Sequence, residues 1–481
     1  MSSVDAHDTQ HTIPTFLIIF GITGDLSRRK LLLALWHLYR NGLLPPQFRI
    51  IGFSRREFSN EAFATFVREA LADIFTSADA KLVQNFLNLF SYRQGHFDVK
   101  ERYVALGEYI KSLERAHHSP ANKLFYLAIS PSHYEIALQN LHDSGITKHE
   151  HSAYPARILI EKPFGKDIHT ARALDEKLSA LFKEEQIYRI DHYLAKEMIQ
   201  NILHFRFSNF IFESLWNTAG IEKVHIQLME TLGMEGRGKF YSDTGALRDV
   251  GQNHLLQMLA MIAMDNPEKS DALHIRAKRA HILSKLRPVE NLSRDVVRGQ
   301  YEGFVLGDDI ESDAQTETYF KIRAFLDTPA WKGVPFILES GKRMRQKIAH
   351  IVVYFKRSQH ALCATTDSRN CQNTLTFTLQ PQEEISIQFW AKKPGLSNEV
   401  EPRTLRFSYR EDTPLSHLPD AYERVLYDCL NGDQTLFAGT DEVLSAWRFI
   451  TPIIEAWHAE PLHTYGQGTD GPESESFDAY A

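Results

Sequence analysis

Over the first 190 residues, short apolar runs alternate with amphipathic segments. The run Phe16–Phe20 predicts a buried parallel strand, and a glycine-containing turn and a basic, leucine-rich helix from about Ser27 follow it. Further strand-like runs end near Ser130 and Gly165, with helical patterns between them. This alternation predicts an α/β domain of residues 1–190, a Rossmann-like doubly wound parallel sheet.

The pattern changes after Phe205, where strand-like runs follow one another with few helices between them. These runs are KVHIQLMET, ETYFKIRAFL, HIVVYFK, TLTFTLQ, EISIQFWAKK and LRFSYRE. They predict a large, mainly antiparallel sheet with packed helices, in an α+β domain of residues 191–465. Residues 466–481 are rich in Gly, Asp, Ser and Glu, and we expect a loosely ordered tail there.

The stretch RIDHYLAKE lies where the two patterns meet. Apolar residues recur at helical spacing from Leu194 to Phe205, which predicts an amphipathic helix. His192 and Lys196, four residues apart, would lie one turn apart on one face, and two cationic donors beside a helix N-terminus form an anion site. Asp191 would face a different partner, about 100° round the helix. Alternatively, Asp191 is an ordinary N-cap and the basic pair is a solvated face.

Composition narrows the class of protein. The 481 residues carry a net charge of −7, which gives no electrostatic reason to expect a nucleic-acid partner. Three cysteines without a CxxC pair fit a reducing cytoplasm. The polar N-terminus does not resemble a signal peptide, and TFLIIF is too short to span a membrane. The 22 histidines form no HExxH or Cys/His cluster, so we expect no metal.

The glycine turn after the first strand is typical of a dinucleotide site, with the pyrophosphate at the helix N-terminus. By itself GITGDL is weak evidence, because an ordinary strand–helix turn can look the same. The second strand adds a discriminating detail. It is followed by Arg55 and Arg56, where an NAD enzyme would carry an acidic residue, and an arginine pair suits the 2′-phosphate of NADP.

His254 stands near the start of GALRDVGQNHLLQMLAMIAM, a helical segment that is apolar almost all round after the histidine. Residue type alone favours a hydrogen-bonded core histidine over a functional one. Its role therefore depends on the rest of the sequence.

Several motifs that occur in the same order as in a known family indicate the role of His254. They are FGITGDLSRRKL, LFYLA, EKPFGKD, RIDHYLAKE, GALRDVGQNHLLQM, GVPFILESGK and DAYERVL with GDQTLF. In these motifs the sequence resembles the glucose-6-phosphate dehydrogenase family over nearly its whole length. The resemblance implies oxidation of D-glucose 6-phosphate to 6-phospho-D-glucono-1,5-lactone with NADP, the first step of the oxidative pentose phosphate pathway. It also implies a homodimer or homotetramer built through the antiparallel sheet.

The resemblance further implies roles for individual residues. His254 would be the general base, and Asp191 would orient it. The substrate-binding positions would be His192, Tyr193, Lys196, Glu230, Asp249, Lys342, Lys347 and Lys162. The cofactor-binding positions would be Gly21, Ile22, Thr23, Gly24, Asp25, Leu26, Ser27, Arg28, Arg55, Arg56, Tyr126 and Lys162.

Some positions depart from the family pattern. Glu339 replaces an arginine, and a reversed charge near Lys342 predicts altered substrate affinity. Asp470 replaces the tryptophan of a G-x-W-G-P pattern in the tail. Ala195 replaces a glycine, which a helical position tolerates.

Two other functions are compatible with parts of the sequence. The EKP motif after a strand–helix unit also occurs in inositol-dehydrogenase-like sugar oxidoreductases, but that likeness is confined to the N-terminal half. A catalytically silent, NADP-sensing relative is the alternative from another class. Loss of His254, Asp191 or Lys196 would have indicated it, and all three are present.

Overall fold

The computed structural model describes residues 13–147, 156–234, 241, 244–304, 314–357, 371–412, 418–473 and 477. The chain divides into two compact units. The first comprises residues up to Gly165, His169–Ala195 and Pro419–Thr440, and the second comprises Lys166–Ile168, Lys196–Leu418 and Asp441–Ala481.

The first unit contains a seven-stranded sheet of order β15-β6-β5-β4-β1-β2-β3. Its strands are β1 (Thr15–Phe20), β2 (Phe48–Ser54), β3 (Phe90–Gln94), β4 (Asn122–Leu127), β5 (Arg157–Glu161), β6 (Ile187–Ile190) and β15 (Phe437–Ala438). Strands β1 to β6 pair in parallel and β15 pairs antiparallel with β6. The order 3-2-1-4-5-6 is that of a doubly wound dinucleotide-binding sheet, so the predicted fold class is confirmed here.

The second unit contains a nine-stranded sheet of order β14-β13-β12-β11-β7-β10-β9-β8-β16. Its strands are β7 (Ile221–Met229), β8 (Val296–Tyr301), β9 (Tyr319–Ala324), β10 (Phe336–Gly341), β11 (Ile348–Phe355), β12 (Thr374–Gln380), β13 (Glu384–Lys392), β14 (Val400–Ser408) and β16 (Leu462–Tyr465). The pairs β7/β10 and β8/β16 are parallel and the others are antiparallel. The predicted mainly antiparallel sheet is therefore confirmed.

Helices connect and cover the strands. Those before β7 are Ser27–Leu31, a π-helical turn that continues as Leu32–Arg40, then Asn60–Ala70, Ala72–Phe75, Ala80–Leu87, Lys100–His117, Tyr134–Asp143, Ile168–Leu181, Glu197–Phe207 and Phe210–Glu213. Those after β7 are the π-helical Leu247–Leu255, which continues as Leu256–Ala263, then Ala272–Ser284, Leu292–Asp295, Tyr409–Asp412, Ala421–Asn431 and Thr440–Ala456. Short 3₁₀ turns lie at Pro131–His133, Glu184–Gln186, Pro329–Trp331 and Trp457–Ala459. Every helix in the described ranges is too short or too polar to cross a bilayer.

The two faces of the nine-stranded sheet differ. Val224, Ile226 and Leu228 of β7 are buried on one face, which packs against the helix beginning at Leu247. We call this the helix-facing face. The alternate residues, His225 and Gln227, lie on the opposite face and are partly exposed. This alternation is the period of two that a strand imposes.

The structure differs from the predicted organisation in two places. The predicted second domain, residues 191–465, includes the segment Pro419–Thr440, which packs with the first compact unit because β15 extends the first sheet. The tail from Gly466 is ordered at the positions described: Gly468 N–H donates to Arg343 O at 2.7 Å, Arg345 N–H donates to Thr469 O at 2.9 Å, and Phe477 is fully buried. The polar composition of the tail gave no indication of these contacts, because backbone hydrogen bonds do not depend on the side chains. Residues 474–476 and 478–481 lie outside the described residues.

Candidate functional site

The glycine turn after β1 is tightly held. Gly21 has φ +79°, and a Cβ there would lie 2.3 Å from Ala128 O of the neighbouring β4 segment, so only glycine fits. Gly24 N–H donates to Gly21 O at 2.8 Å, and Ser27 Oγ donates to the same carbonyl at 3.2 Å. Thr23 Oγ1 lies 2.8 Å from Ser54 Oγ of β2. The turn therefore leads into the helix N-terminus at the switch point between β1 and β4, where a doubly wound sheet binds a dinucleotide.

The two arginines after β2 are exposed, while their backbone is fixed. Tyr92 of β3 donates its hydroxyl to Ser54 O at 2.9 Å and also contacts Arg56 O. Gln94 Nε2 donates to Arg55 O at 3.3 Å. Because the backbone is held and the guanidinium groups are exposed, this position suits an anionic group near the adenosine of a cofactor.

Tyr126 and Glu161 end the adjacent strands β4 and β5. The Tyr126 hydroxyl donates to Glu161 Oε1 at 2.6 Å, and Tyr134 donates to the Glu161 carbonyl at 2.9 Å. Burial raises the pKa of Glu161 to about 7, although the hydrogen bond from Tyr126 and the charge of Lys162 act to lower it. The hydroxyl of Tyr126 is thus engaged by a carboxyl group next to Lys162. The Lys162–Pro163 peptide bond is cis.

The predicted helix over RIDHYLAKE begins later than expected. Asp191 Oδ1 accepts from Tyr193 N–H at 2.9 Å, and Asp191 O accepts from Leu194 N–H at 3.1 Å, which makes residues 191–194 a turn. The helix starts at Glu197 with Lys196 as its N-cap. His192 and Lys196 therefore do not share a helix face, and that part of the prediction is wrong. Asp191 is 2% exposed.

The His192 ring stacks on Tyr422, with ring centroids 6.2 Å apart and planes 11° apart. Burial raises the pKa of the Tyr422 hydroxyl far above its usual value, and the nearby Glu161, Asp420 and Asp191 raise it further. Tyr422 was not predicted as a site residue. It lies within DAYERVL, one of the motifs that carries the family resemblance, and this was the signal that could have found it.

In the second unit, Lys342 gathers two of the predicted substrate-binding carboxylates. It follows β10, and its ammonium group contacts Glu230 and lies 3.7 Å from an Asp249 oxygen. It also lies 5.7 Å from the centre of the Tyr241 ring. Lysine and two carboxylates in one cluster offer both donors and acceptors, which suits a polyhydroxylated ligand.

Tyr241 adds a buried hydroxyl to this cluster and was not predicted. It is fully buried, and its hydroxyl has no hydrogen-bond partner among the residues described. Burial raises the pKa of Tyr241 well above its usual value, and the negative charges of Asp249, Glu317 and Glu230 act in the same direction.

His254 lies in the π-helical segment Leu247–Leu255 and is 2% exposed. Its backbone N–H donates to Asn253 Oδ1 at 2.7 Å. Irregular π-helical turns recur at functional sites, because they place side chains that a regular α-helix would turn away. The apolar remainder of this helix is buried, as predicted.

Glu339 does not lie where its replacement of an arginine suggested. It is on the opposite face of the sheet, where its carboxylate accepts from His225 Nε2 at 2.7 Å, Gln227 Nε2 at 2.8 Å and the Tyr319 hydroxyl at 2.5 Å. None of these contacts involves Lys342. Among the residues that the structure describes, these contacts give the expected effect on substrate affinity no route to Lys342, because successive residues of a strand point to opposite faces.

The remaining predicted residues are placed as follows. Lys162 directly follows Glu161 at the end of β5, and Lys196 is the N-cap noted above. Lys347 is exposed in the turn between β10 and β11. Each unit thus assembles part of the predicted site: the cofactor residues with Asp191, His192 and Tyr193 in the first, and Glu230, Asp249, Lys342 and His254 in the second.

Comparisons with known proteins match two consecutive parts of the chain, and the second part includes Pro419–Thr440. The family model "Glucose-6-phosphate dehydrogenase, NAD binding domain" matches residues 18–201, and "Glucose-6-phosphate dehydrogenase, C-terminal domain" matches residues 203–478. The chain is 38% identical to glucose-6-phosphate 1-dehydrogenase of Chlamydia pneumoniae, covering 96% of this chain and 93% of that protein.

Solved structures give the same result. The chain resembles a glucose-6-phosphate dehydrogenase in complex with its substrate glucose-6-phosphate, with a TM-score of 0.90 at 32% identity over 97% of this chain and 98% of that one. The glucose-6-phosphate 1-dehydrogenase of Mycobacterium avium gives a TM-score of 0.82 at 31% identity over 96% of both chains.

Proposed function

This chain belongs to the glucose-6-phosphate dehydrogenase family, and we propose that it oxidises D-glucose 6-phosphate to 6-phospho-D-glucono-1,5-lactone with NADP as the hydride acceptor. It is an oxidoreductase of carbohydrate metabolism with a nicotinamide dinucleotide site in its first unit. The observation that carries this conclusion is the full-length likeness to relatives with that activity, over both units.

The preference for NADP rests on Arg55 and Arg56. Both arginines are exposed beside a fixed backbone at the end of β2, where the ribose 2′ position of a bound dinucleotide lies in this fold. A 2′-phosphate offers oxygens to a guanidinium fork, whereas the 2′-hydroxyl of NAD does not.

The first group of proposed site residues supplies the base for the reaction. The cofactor supplies the hydride acceptor, and the protein supplies orientation and a base. His254 accepts the proton of the anomeric hydroxyl, because a neutral imidazole has its pKa near the working pH. Asp191 fixes the tautomer of His254 and stabilises the imidazolium that forms.

The substrate is held by its phosphate and its hydroxyls. His192, Tyr193 and Lys196 bind the phosphate, Glu230 and Asp249 accept hydrogen bonds from the sugar hydroxyls, and Lys162, Lys342 and Lys347 supply further cationic donors. The Lys342 cluster supports this role, because its carboxylates are already oriented by the ammonium group. Binding the remote phosphate places the anomeric carbon for hydride transfer.

A direct assay tests the function. Purified protein mixed with glucose 6-phosphate and NADP should produce NADPH, seen by its absorbance, and glucose without phosphate should be a very poor substrate. No NADPH formation by the folded protein would overturn the proposal.

A variant tests the cofactor preference. Arg55→Ala should reduce the ratio of NADP to NAD specificity constants on the order of 10- to 100-fold, the value of one charge-assisted contact. An unchanged ratio would show that Arg55 does not contact the 2′-phosphate.

We further propose that the chain forms a homodimer or homotetramer through the nine-stranded sheet and acts in the cytoplasm, where its phosphorylated substrate and cofactor are retained. Sedimentation equilibrium would measure the oligomeric state, and a monomer at micromolar concentration would contradict it. Cell fractionation with an activity assay would test the location.

A further inference from the structure

Glu317, which no part of the proposed reaction uses, connects to the helix that carries Asp249 and His254. It lies two residues before β9, and its side chain is 7% exposed. The carboxylate oxygen Oε1 accepts from Leu247 N–H at 2.9 Å. The carbonyl oxygen of Glu317 accepts from Ala246 N–H at 3.0 Å. One residue thus satisfies two of the N–H groups that a helix start leaves without partners.

The approach of this carboxylate depends on Gly245. A Cβ at Gly245 would lie 2.3 Å from Glu317 Oε1 and 2.6 Å from Oε2, and the residue has φ +72°. Any side chain there would displace the carboxylate and strain the backbone. Glycine and glutamate therefore form a matched pair at the start of the helix.

The segment that carries Glu317 also holds residues 342–347 between β10 and β11, which we call the Lys342 loop. Lys342 N–H donates to the carbonyl of Thr318, the next residue, at 2.9 Å. Thr318 is in turn tied to the strand pair around it, because its hydroxyl accepts from Tyr301 N–H at 2.9 Å. The dipeptide Glu317–Thr318 is therefore bonded both to the helix of Asp249 and His254 and to Lys342.

We propose that Glu317 is a positioning residue, whose carboxylate caps the helix and so sets the placement of Asp249 and His254 relative to Lys342. This role rests on the proposed function, because it presumes that those three residues act on the substrate. Asp249 lies two residues after Leu247, and His254 two turns after it, so a shift of the helix start moves both.

Burial opposes the charge of this cap, and the groups around it partly offset that effect. Burial raises the pKa of Glu317 to about 6, against the hydrogen bond from Leu247 and the positive charges of Arg248 and Arg298. The charge of Glu317 in turn acts to raise the pKa of Tyr241, and it acts to raise the pKa of Arg298 against the lowering effect of burial. A carboxylate at a helix N-terminus is favourable because it faces the positive end of the helix dipole.

Two substitutions distinguish the hydrogen bond that Glu317 accepts from its negative charge. Glu317→Gln keeps an oxygen that can accept from Leu247 N–H, whereas Glu317→Leu removes the acceptor at similar volume. Asp271→Ala is the matched control, because Asp271 caps the helix Ala272–Ser284 of the same unit through His274 N–H at 2.9 Å. It lies outside the proposed site.

Three measurements read out the role. In E317L, kcat should fall on the order of 10²-fold, the usual effect of misplacing catalytic groups by about 1 Å, with KM for NADP unchanged. E317Q should stay within a few-fold of the wild type, and D271A should match it. Hydrogen exchange of the free protein should be faster across residues 245–263 in E317L, and not in D271A.

Each other outcome overturns the proposal. Wild-type kcat in E317L would show that the cap does not position the site. An equal loss in E317Q and E317L with unchanged hydrogen exchange would show that the charge of Glu317, rather than the cap, is what matters. If the wild-type protein does not oxidise glucose 6-phosphate, the proposed function fails, while the exchange data still report separately whether Glu317 fixes the helix.

Discussion

Glu317 and Glu339 are two buried glutamates of the same sheet region with opposite electrostatic outcomes. Glu317 bonds to the helix on the helix-facing side, and its pKa is raised to about 6 by burial. Glu339 lies on the opposite face and its pKa is lowered: burial acts to raise it, but the hydrogen bonds from His225 and Tyr319 and the charges of His225 and Lys321 outweigh burial. Burial alone therefore does not set the pKa of a carboxyl group; the hydrogen bonds and charges around it decide whether burial prevails.

The two sides of the sheet are therefore expected to have different roles, one in function and the other in stability. The helix-facing side carries Lys342, Asp249 and His254, the residues of the second unit that we propose act on the substrate. On the opposite face, Glu339 and its three donors satisfy one another, and the network continues from Gln227 Oε1 to His350 Nε2 at 2.6 Å. We therefore expect substitutions on one side to change kinetics and those on the other to change the free energy of unfolding.

The largest expected effect compares two histidines. His254→Asn cannot accept the substrate proton, so turnover should fall by roughly 10²–10⁴-fold, the share of general base catalysis. His350→Asn, on the opposite face, should leave kcat near the wild-type value. Steady-state kinetics of both purified variants would check this. Comparable turnover in the two variants would remove His254 from the role of base and return it to a core histidine.

The next largest effect concerns stability. Glu339→Leu leaves the donors of His225, Gln227 and Tyr319 without their acceptor, and we expect a loss of about 3 kcal/mol in the free energy of unfolding. Urea denaturation measures it, and kcat below the unfolding range should be unchanged. A large change in KM for glucose 6-phosphate would restore the earlier expectation that Glu339 influences the substrate site.

The sequence predicted the sheets well because their signals are local. The apolar run Phe16–Phe20 and the alternation in β7 each record the burial of one strand. The strands β3, β6, β8, β10, β15 and β16 were missed. β10 is apolar without alternation at its start, since both of its neighbours and both faces bury it.

Sequence reasoning found only those site residues that lie in recognisable family motifs. The carboxylates Glu230 and Asp249 were named by resemblance, and they do gather at Lys342. Glu317 gave no such signal, because its partner is a backbone N–H seventy positions away in the sequence. The turn at Asp191 was also missed, because the pattern of apolar residues is the same whether the helix begins at Asp191 or at Glu197.

Acidification should change the contributions of the two glutamates to the free energy of unfolding in opposite directions. Glu317 has a folded-state pKa of about 6 against 4.5 for the unfolded chain, so the folded state binds its proton first and gains stability as pH falls. Relative to E317Q, the wild type should gain about 1.5 kcal/mol between pH 7 and pH 4.5. Relative to E339Q, it should lose stability on acidification, because the lowered pKa makes Glu339 stabilising only while ionised. Urea denaturation at both pH values measures this, and equal slopes for the two variants would contradict the assignment.

The smallest expected effect concerns what keeps the opposite face covered. Tail residues lie against it: Gly471 sits where a Cβ would meet the Tyr319 ring at 2.6 Å, and the carbonyl of the buried Phe477 accepts from Arg323 at 2.6 Å.

The Arg345–Asp470 ion pair at 3.1 Å also joins the tail to the Lys342 loop, but both side chains are about two-thirds exposed. Exposed pairs contribute little, so Asp470→Ala should cost about 0–1 kcal/mol. Its tail should remain docked through the backbone hydrogen bonds of Gly468 and Thr469. Limited proteolysis of D470A alongside the wild type would test this: cleavage within residues 466–473 in the variant alone would mean that the ion pair, rather than the backbone, holds the tail against Tyr319.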